Sequence, residues 1–176
     1  VYGLSLLVGS GLAPAMIANV GFGAAVVVCL YGLLNAARPR ITRITVTMAN
    51  LPANWRGRTA VMVSDLHLGQ IRNRRFVQQV VNKIAGLKPD IVFIAGDLYD
   101  GVAADFATLA APWRDLVASQ RAARFGVYYI AGNHEEFYRH AEYLPSLLQS
   151  GVRILNNERV EVDGLQVVGV HYLSLI

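Results

Sequence analysis

Three apolar, β-rich runs each lead directly into a polar cluster, and a chain built on that alternation has few ways to fold. The runs are Ala60-Val61-Met62-Val63-Ser64, Ile91-Val92-Phe93-Ile94-Ala95 and Val127-Tyr128-Tyr129-Ile130-Ala131. They end in Asp65-Leu66-His67, Gly96-Asp97-Leu98-Tyr99-Asp100 and Gly132-Asn133-His134-Glu135. Between the first two runs, Phe76, Val77, Val80, Val81 and Ile84 recur at spacings of three and four, which predicts a helix over 74–86. A second helix is predicted over 105–120, before the third run. Strands separated by helices pair in parallel through right-handed crossovers, so the chain is α/β. Ligands of such sheets gather at the carboxyl ends of the strands, where all three clusters lie.

Beyond the third cluster, 139–150 reads as helical with Gly151 as its stop. Short strands follow over 152–155, 159–162 and 165–170, joined by Asn156-Asn157 and by Asp163-Gly164, a hairpin signal. Upstream of the first run, 41–48 alternates polar and apolar side chains and predicts one more strand, and 50–58 is a loop around Pro52 and Gly57. Trp55 in that loop has two readings, an anchor at a membrane interface or a partly buried loop tryptophan.

Residues 1–37 hold no Asp, Glu, Lys, Arg or His, while all 28 charged residues fall in the rest of the chain. Pro14 divides that stretch. The following 15–37 would reach about 34 Å as a helix, enough to cross a bilayer. Residues 1–13 would reach only about 20 Å and read as the tail of an earlier helix, joined through Gly9-Ser10-Gly11. A buried core helix is disfavoured because apolar residues cover the whole circumference. A cleaved signal peptide is disfavoured by length and by the lack of a visible basic start. Arg38, Arg40 and Arg43 follow the span directly, which by the positive-inside rule places the polar domain in the cytoplasm, at the cell (inner) membrane. The organisation is therefore a transmembrane region over 1–37, a linker with a first strand over 38–58, and an α/β domain over 59–176. A start on Val1 and a stop on Leu175-Ile176 read as cuts through a longer protein.

Net charge is +4, and Lys83 and Lys88 are the only lysines among 16 basic residues. Most of the arginines read as solvated surface attracted to an anionic leaflet. No basic stripe with interleaved aromatics appears, so nucleic acid is not an expected partner. Cys29 is the only cysteine, which excludes an internal disulfide and a cysteine-based zinc site.

The clusters carry hard oxygen and nitrogen donors. Asp65 and His67 are two residues apart, so on an extended strand both side chains point the same way. Gly96 permits a sharp turn after which Asp97 can bridge two cations, the usual element of two-metal hydrolysis, or cap a helix or turn. Asp100 lies too far along for the same ion but can orient an imidazole. Asn133 offers a neutral oxygen, and His134 can protonate a leaving oxygen or stabilise charge on a phosphoryl group. Glu135 is read as hydrogen-bonding near the site or capping the next helix.

In this order, with Asp65 and Asp97 separated by 32 residues and Asp97 and Asn133 by 36, the motifs resemble the calcineurin-like metallophosphoesterase superfamily. The hydrophobic N-terminus and Asp65-Leu66-His67-Leu68-Gly69 are similar to its membrane-attached bacterial branch. The resemblance implies part of an α/β/β/α sandwich and two divalent ions, manganese, iron, zinc or magnesium. One ion is held by Asp65, His67 and Asp97, the other by Asp97 and Asn133. His134 acts on the leaving group and Asp100 holds His134 in place. The implied reaction is attack of a metal-bound hydroxide on a phosphodiester, phosphomonoester or pyrophosphate. Some relatives cleave diphosphates in lipid A synthesis, so a lipid-linked substrate meeting Arg72, Arg74 and Arg75 is one expectation, beside a solvated helix start for those arginines. A later histidine and a Gly-His-x-His that the family uses are not in the chain; His171 is read as a strand-end residue near the site and His140 as an exposed helix residue. Gly101 stands where several members have arginine. The competing class is a degenerate, non-catalytic membrane module that binds metal or a partner.

Overall fold

The computed structural model describes residues 14–100, 105–119, 123–137 and 142–170. His140, Gly101 and His171, and the first part of the helix expected over 139–150, lie outside them. The chain divides into two compact units, Val1–Thr45 and Val46–Ile176.

The first unit contains helix α1, Pro14–Ala36, 23 residues with no buried position. Proline is suited to open a helix, since its missing N–H falls among donors that have no intrahelical partner there. The helix is long and apolar enough to cross a membrane. Arg40 donates to the Asn35 side chain just beyond its end. The strand expected over 41–48 is absent: those residues carry no regular structure, with Ile44 80% and Val46 67% exposed. Alternation makes a strand only where a neighbouring edge takes up the backbone groups and one face finds a core to bury.

The second unit is built on a parallel sheet of β1 (Ala60–Val63), β2 (Ile91–Ala95), β3 (Val127–Ile130) and β4 (Arg153–Ile154), in that spatial order. Helices α2 (Arg74–Leu87) and α3 (Phe106–Ala118) connect the first three strands, and α4 (Asn133–Phe137) and α5 (Leu144–Gln149) lie between β3 and β4. Asn73 caps α2 by accepting from Arg75 N, and Asp105 caps α3 by accepting from Thr108 N. The predicted stripe of α2 is its buried face, with Val77, Val80, Val81 and Ile84 all inside.

Period-two alternation sorts the strand side chains onto two cores. Val92, Ile94, Val127 and Tyr129 pack among the helices, with Trp113 and Leu116 of α3 and Leu147 of α5. Ile91 and Tyr128 face the other way, against the antiparallel hairpin of β5 (Glu158–Val162) and β6 (Leu165–Gly169). The sequence expected a fourth short strand near 152–155, and the structure gives it a place in the parallel sheet, next to β3. Asp163 and Gly164 both take positive φ, 50° and 81°, as a two-residue hairpin turn requires. Trp55 is buried in the second core, where its indole N–H donates to the carbonyls of Val162 and Asp163 at 3.1 and 3.0 Å. The buried-loop reading of Trp55 is the observed one.

Candidate metal centre

Where β1 and β2 end, the chain leaves regular strand geometry without leaving the sheet's register. Asp65, His67 and Asp97 all adopt left-handed backbone, at φ 56°, 45° and 50°. Such φ values cost about 1–2 kcal/mol each for residues other than glycine, and Asp, Asn and His tolerate them best. They persist here because the two loops are laced together. Asp65 N donates to Gly96 O at 3.2 Å, His67 N to Asp97 O at 3.0 Å, Leu68 N to Leu98 O at 2.7 Å and Asp100 N to Leu68 O at 2.9 Å. Leu66, Leu68, Leu98 and Tyr99 turn into the helix-side core, which leaves Asp65, His67, Asp97 and Asp100 on the outer side. The extended-strand argument for Asp65 and His67 therefore does not hold as stated; burial of Leu66 between them and Leu68 after them turns both side chains outward instead.

One ligand atom from each of His67, Asp97 and His134 lies within 4.8 Å of the other two. The two imidazole rings meet edge to face, with centroids 4.5 Å apart and planes at 79°. Asp100 Oδ1 stands 3.8 Å from His67 Nδ1 and 3.9 Å from His134 Nδ1, inside ion-pair range and beyond hydrogen-bonding distance. His134 Nδ1 is buried and has no hydrogen-bond partner. An orphaned buried imidazole nitrogen beside a carboxylate and a second imidazole is a donor set that fits a divalent transition metal. The structure thus brings His134, assigned from sequence to the leaving group, into the same cluster as the predicted ligands His67 and Asp97. Asp65 and Asn133 sit at the tips of β1 and β3, Asn133 as the first residue of α4, and the Asp65 carboxylate stands outside the 4.8 Å group.

Asp97 also satisfies its capping alternative, since its Oδ1 accepts from His134 N at 3.0 Å. The glycines explain how β2 and β3 approach so closely. A Cβ on Gly96, whose φ is +83°, would come within 2.8 Å of Gly132 Cα, and one on Gly132 within 2.2 Å of Asp97 Oδ1. Glu135 is buried and accepts from the backbone N–H groups of Asp97, Tyr99 and Gly132 at 2.9, 2.9 and 2.8 Å. The sequence placed it near the site without these partners, which lie up to 38 residues away.

Of the three arginines beside the first motif, Arg72 turns inward. Its Nη1 donates to Asp65 O and Leu66 O, each at 3.1 Å, and its guanidinium lies 5.3 Å from the Phe76 ring centre. Arg74 and Arg75 remain exposed and line an open groove of about 630 Å³ with Gln70, Asn73 and Thr108. Burial, reinforced by the Glu135 charge, pushes the phenols of Tyr99 and Tyr129 above their ordinary range. Tyr129 donates its hydroxyl to Tyr143 at 3.2 Å beneath the site.

A parallel sheet whose strand tips gather imidazoles and a carboxylate, with close-packed glycines at β2 and β3, defines a metal-dependent phosphoesterase architecture. Residues 59–173 match the family model for calcineurin-like phosphoesterases, and the chain belongs to that family. A Danio rerio protein named "Transmembrane protein with metallophosphoesterase domain" is 33% identical over 138 residues, covering 77% of this chain and 30% of that protein. Its Bos taurus namesake is 34% identical over 139 residues, 78% of this chain and 30% of that protein. An "Uncharacterized metallophosphoesterase" of Helicobacter pylori is 28% identical over 136 residues, with 77% and 34% covered. The chain spans about a third of the length of these curated relatives. The names of the Danio rerio and Bos taurus proteins, with α1, support membrane association.

Proposed function

We propose that the intact protein is a membrane-anchored phosphohydrolase with a dinuclear metal centre at the tips of β1, β2 and β3. The observation that carries this reading is the His67–Asp97–His134 cluster, with the His134 Nδ1 atom buried and unpartnered within it. When bound, two divalent cations would supply Lewis acidity and an activated water at neutral pH. Asp97 would be the carboxylate shared between the cations, with Asp65 and His67 holding one of them and Asn133 the other. His134 stabilises charge on the phosphoryl group or protonates the leaving oxygen, and Asp100 keeps its imidazole oriented. Manganese, iron, zinc and magnesium all suit this set of donors.

The substrate class is a phosphate ester or a diphosphate, and a membrane-borne one suits a domain tethered by α1. Arg74 and Arg75 are the positions for contact with a phosphate group, since Arg72 is spent on Asp65 and Leu66. Arg38, Arg40 and Arg43, directly after the span, support an orientation with the catalytic domain on the cytoplasmic side of the inner membrane.

The test is turnover by the intact protein in detergent of bis(p-nitrophenyl) phosphate, p-nitrophenyl phosphate and a nucleoside diphosphate sugar, with and without Mn²⁺. Metal-dependent release of product that is lost in Asp97→Asn supports the reading. Mn²⁺ binding without turnover of any of the three identifies a non-catalytic metal-binding module instead. Equal turnover by wild type and Asp97→Asn rules out Asp97 as the bridge.

A further inference from the structure

Glu135 is the only charged side chain among the described residues to be buried, at 2% exposure. Its oxygens receive three backbone N–H groups: Oε2 those of Asp97 and Gly132, Oε1 that of Tyr99. Both oxygens act as acceptors, which a carboxylate can do and a carboxamide cannot.

The three donors have a place in common. Asp97 has left the β2 ladder at φ 50°, so its N–H needs another acceptor. Gly132 lies just past the end of β3, where a Cβ would strike Asp97 N at 2.6 Å. Tyr99 is the partner of Leu68 in the short parallel bridge between the first two clusters. One carboxylate therefore closes the gap between the β2 and β3 tips, and it fixes the peptide that carries Asp97. The residue next to it in the chain, His134, carries the imidazole whose Nδ1 has no hydrogen-bond partner, and it donates its backbone N–H to Asp97 Oδ1.

We propose that Glu135 is a positioning residue of the metal centre, holding the Asp97 backbone and the β2–β3 gap so that cations bind without rearrangement. The inference rests on reading the His67–Asp97–His134 cluster as a divalent-cation site. Glu135 receives the Asp97 and Gly132 N–H groups and acts on the cluster through those peptides. A residue needed for folding alone would lower stability and leave the metal affinity of folded molecules unchanged.

The experiment compares intact wild-type protein in detergent with Glu135→Gln and Glu135→Asp by Mn²⁺ titration calorimetry. Apo unfolding and phosphodiester turnover against Mn²⁺ concentration are followed in parallel. The expected result is Mn²⁺ affinity about 10- to 100-fold weaker in Glu135→Gln, as for other groups that orient metal ligands. Turnover would be recovered by excess Mn²⁺, and Glu135→Asp would fall between the two. Unchanged Mn²⁺ affinity in folded Glu135→Gln overturns the proposal. If Glu135→Gln does not fold, Glu135→Asp decides: wild-type affinity there overturns the proposal, weakened affinity rescued by excess Mn²⁺ upholds it, and failure of both to fold assigns Glu135 to folding alone and overturns it. Wild-type protein that binds no Mn²⁺ or other divalent cation is a separate outcome, which removes the metal reading itself.

Discussion

Gly132 and Asp97 are packed so closely that a single methyl group cannot be placed between them. A Cβ on Gly132 would stand 2.2 Å from Asp97 Oδ1, 2.6 Å from its backbone nitrogen and 2.9 Å from Cγ. Because one of these is backbone, rotating the carboxylate away would not relieve the overlap. Gly132→Ala should therefore push the β3 tip from the β2 tip and spoil both. Overpacking of this kind costs about 1–3 kcal/mol, and displacement of a carboxylate ligand should weaken Mn²⁺ binding about 10- to 100-fold. Urea unfolding and calorimetry read the two effects. Wild-type values in both would mean the tips are farther apart than described.

Asp97→Asn separates charge from shape. The asparagine carbonyl can still accept from His134 N, a bond of 3.0 Å with Asp97, so the loop should keep its form. What is lost is the negative charge offered to a bound cation. Turnover of the intact protein should fall about 100- to 1000-fold, as when a group that stabilises the reacting charges is removed, with the unfolding temperature little changed.

Metal binding should appear as stability. A ligand held only by the folded state adds about 2.7 kcal/mol at a hundred times its Kd. Mn²⁺ should raise the unfolding temperature of the intact protein by several degrees and EDTA should reverse the rise. His67→Ala should abolish it, because His67 contributes one of the clustered ligand atoms. A shift that survives in His67→Ala would place the cation elsewhere.

The parts of this fold that were legible in the sequence are those decided by local periodicity. The α2 stripe of Val77, Val80, Val81 and Ile84 and the Asp163-Gly164 turn follow from neighbours a few residues away. So do the β2 and β3 runs, because strands buried in a parallel sheet read as continuous apolar stretches. Residues 41–48 alternate polar and apolar side chains and form no strand, since pairing depends on an edge that no local pattern announces. The candidate site divides in the same way. His67, Asp97 and His134 were visible as motif residues at strand ends, and the structure gathers their ligand atoms. The tasks of Glu135 and Arg72 were hidden for different reasons. Glu135 bonds to peptides 36 and 38 residues away. Arg72 reaches back only six or seven residues, but to carbonyls, which carry no side-chain signature. The left-handed backbone of Asp65, His67 and Asp97 leaves no glycine at those positions to mark it.

Arg72 offers a test of that hidden layer. Its Nη1 bonds to the carbonyls of Asp65 and Leu66 hold the first loop in place from one side. Arg72→Ala should cost about 1 kcal/mol, below the usual range for bonds to a charged group because solvent reaches this half-buried side chain. Arg72→Lys should restore only part of this, since one ammonium nitrogen can donate to both carbonyls as Nη1 does but loses the preorganised guanidinium plane and its packing over Phe76. The measurement is urea unfolding of both variants. Full stability in Arg72→Lys would mean that charge, not the geometry of the guanidinium, is what the loop requires.

Buried tyrosines beneath the centre set the alkaline limit of the domain. Desolvation, with the Glu135 charge adding to it, raises the pKa of both Tyr99 and Tyr129 above the usual value of 10.0. Below that value the folded and unfolded chains hold the same two protons, and these groups make stability independent of pH. As pH rises past it, the unfolded chain releases both protons while the folded one keeps them, so the unfolded state binds fewer protons and stability falls. The limiting slope is about 1.4 kcal/mol per pH unit for each tyrosine. Urea unfolding between pH 9 and pH 11 should therefore show a steeper decline in wild type than in Tyr129→Phe, which removes one of the two protons at issue. The variant should be less stable near pH 8, where Tyr143 loses the 3.2 Å bond from the Tyr129 hydroxyl, and the two curves should converge as pH rises. Parallel curves across that range would show that Tyr129 ionises alike in both states and is open to water.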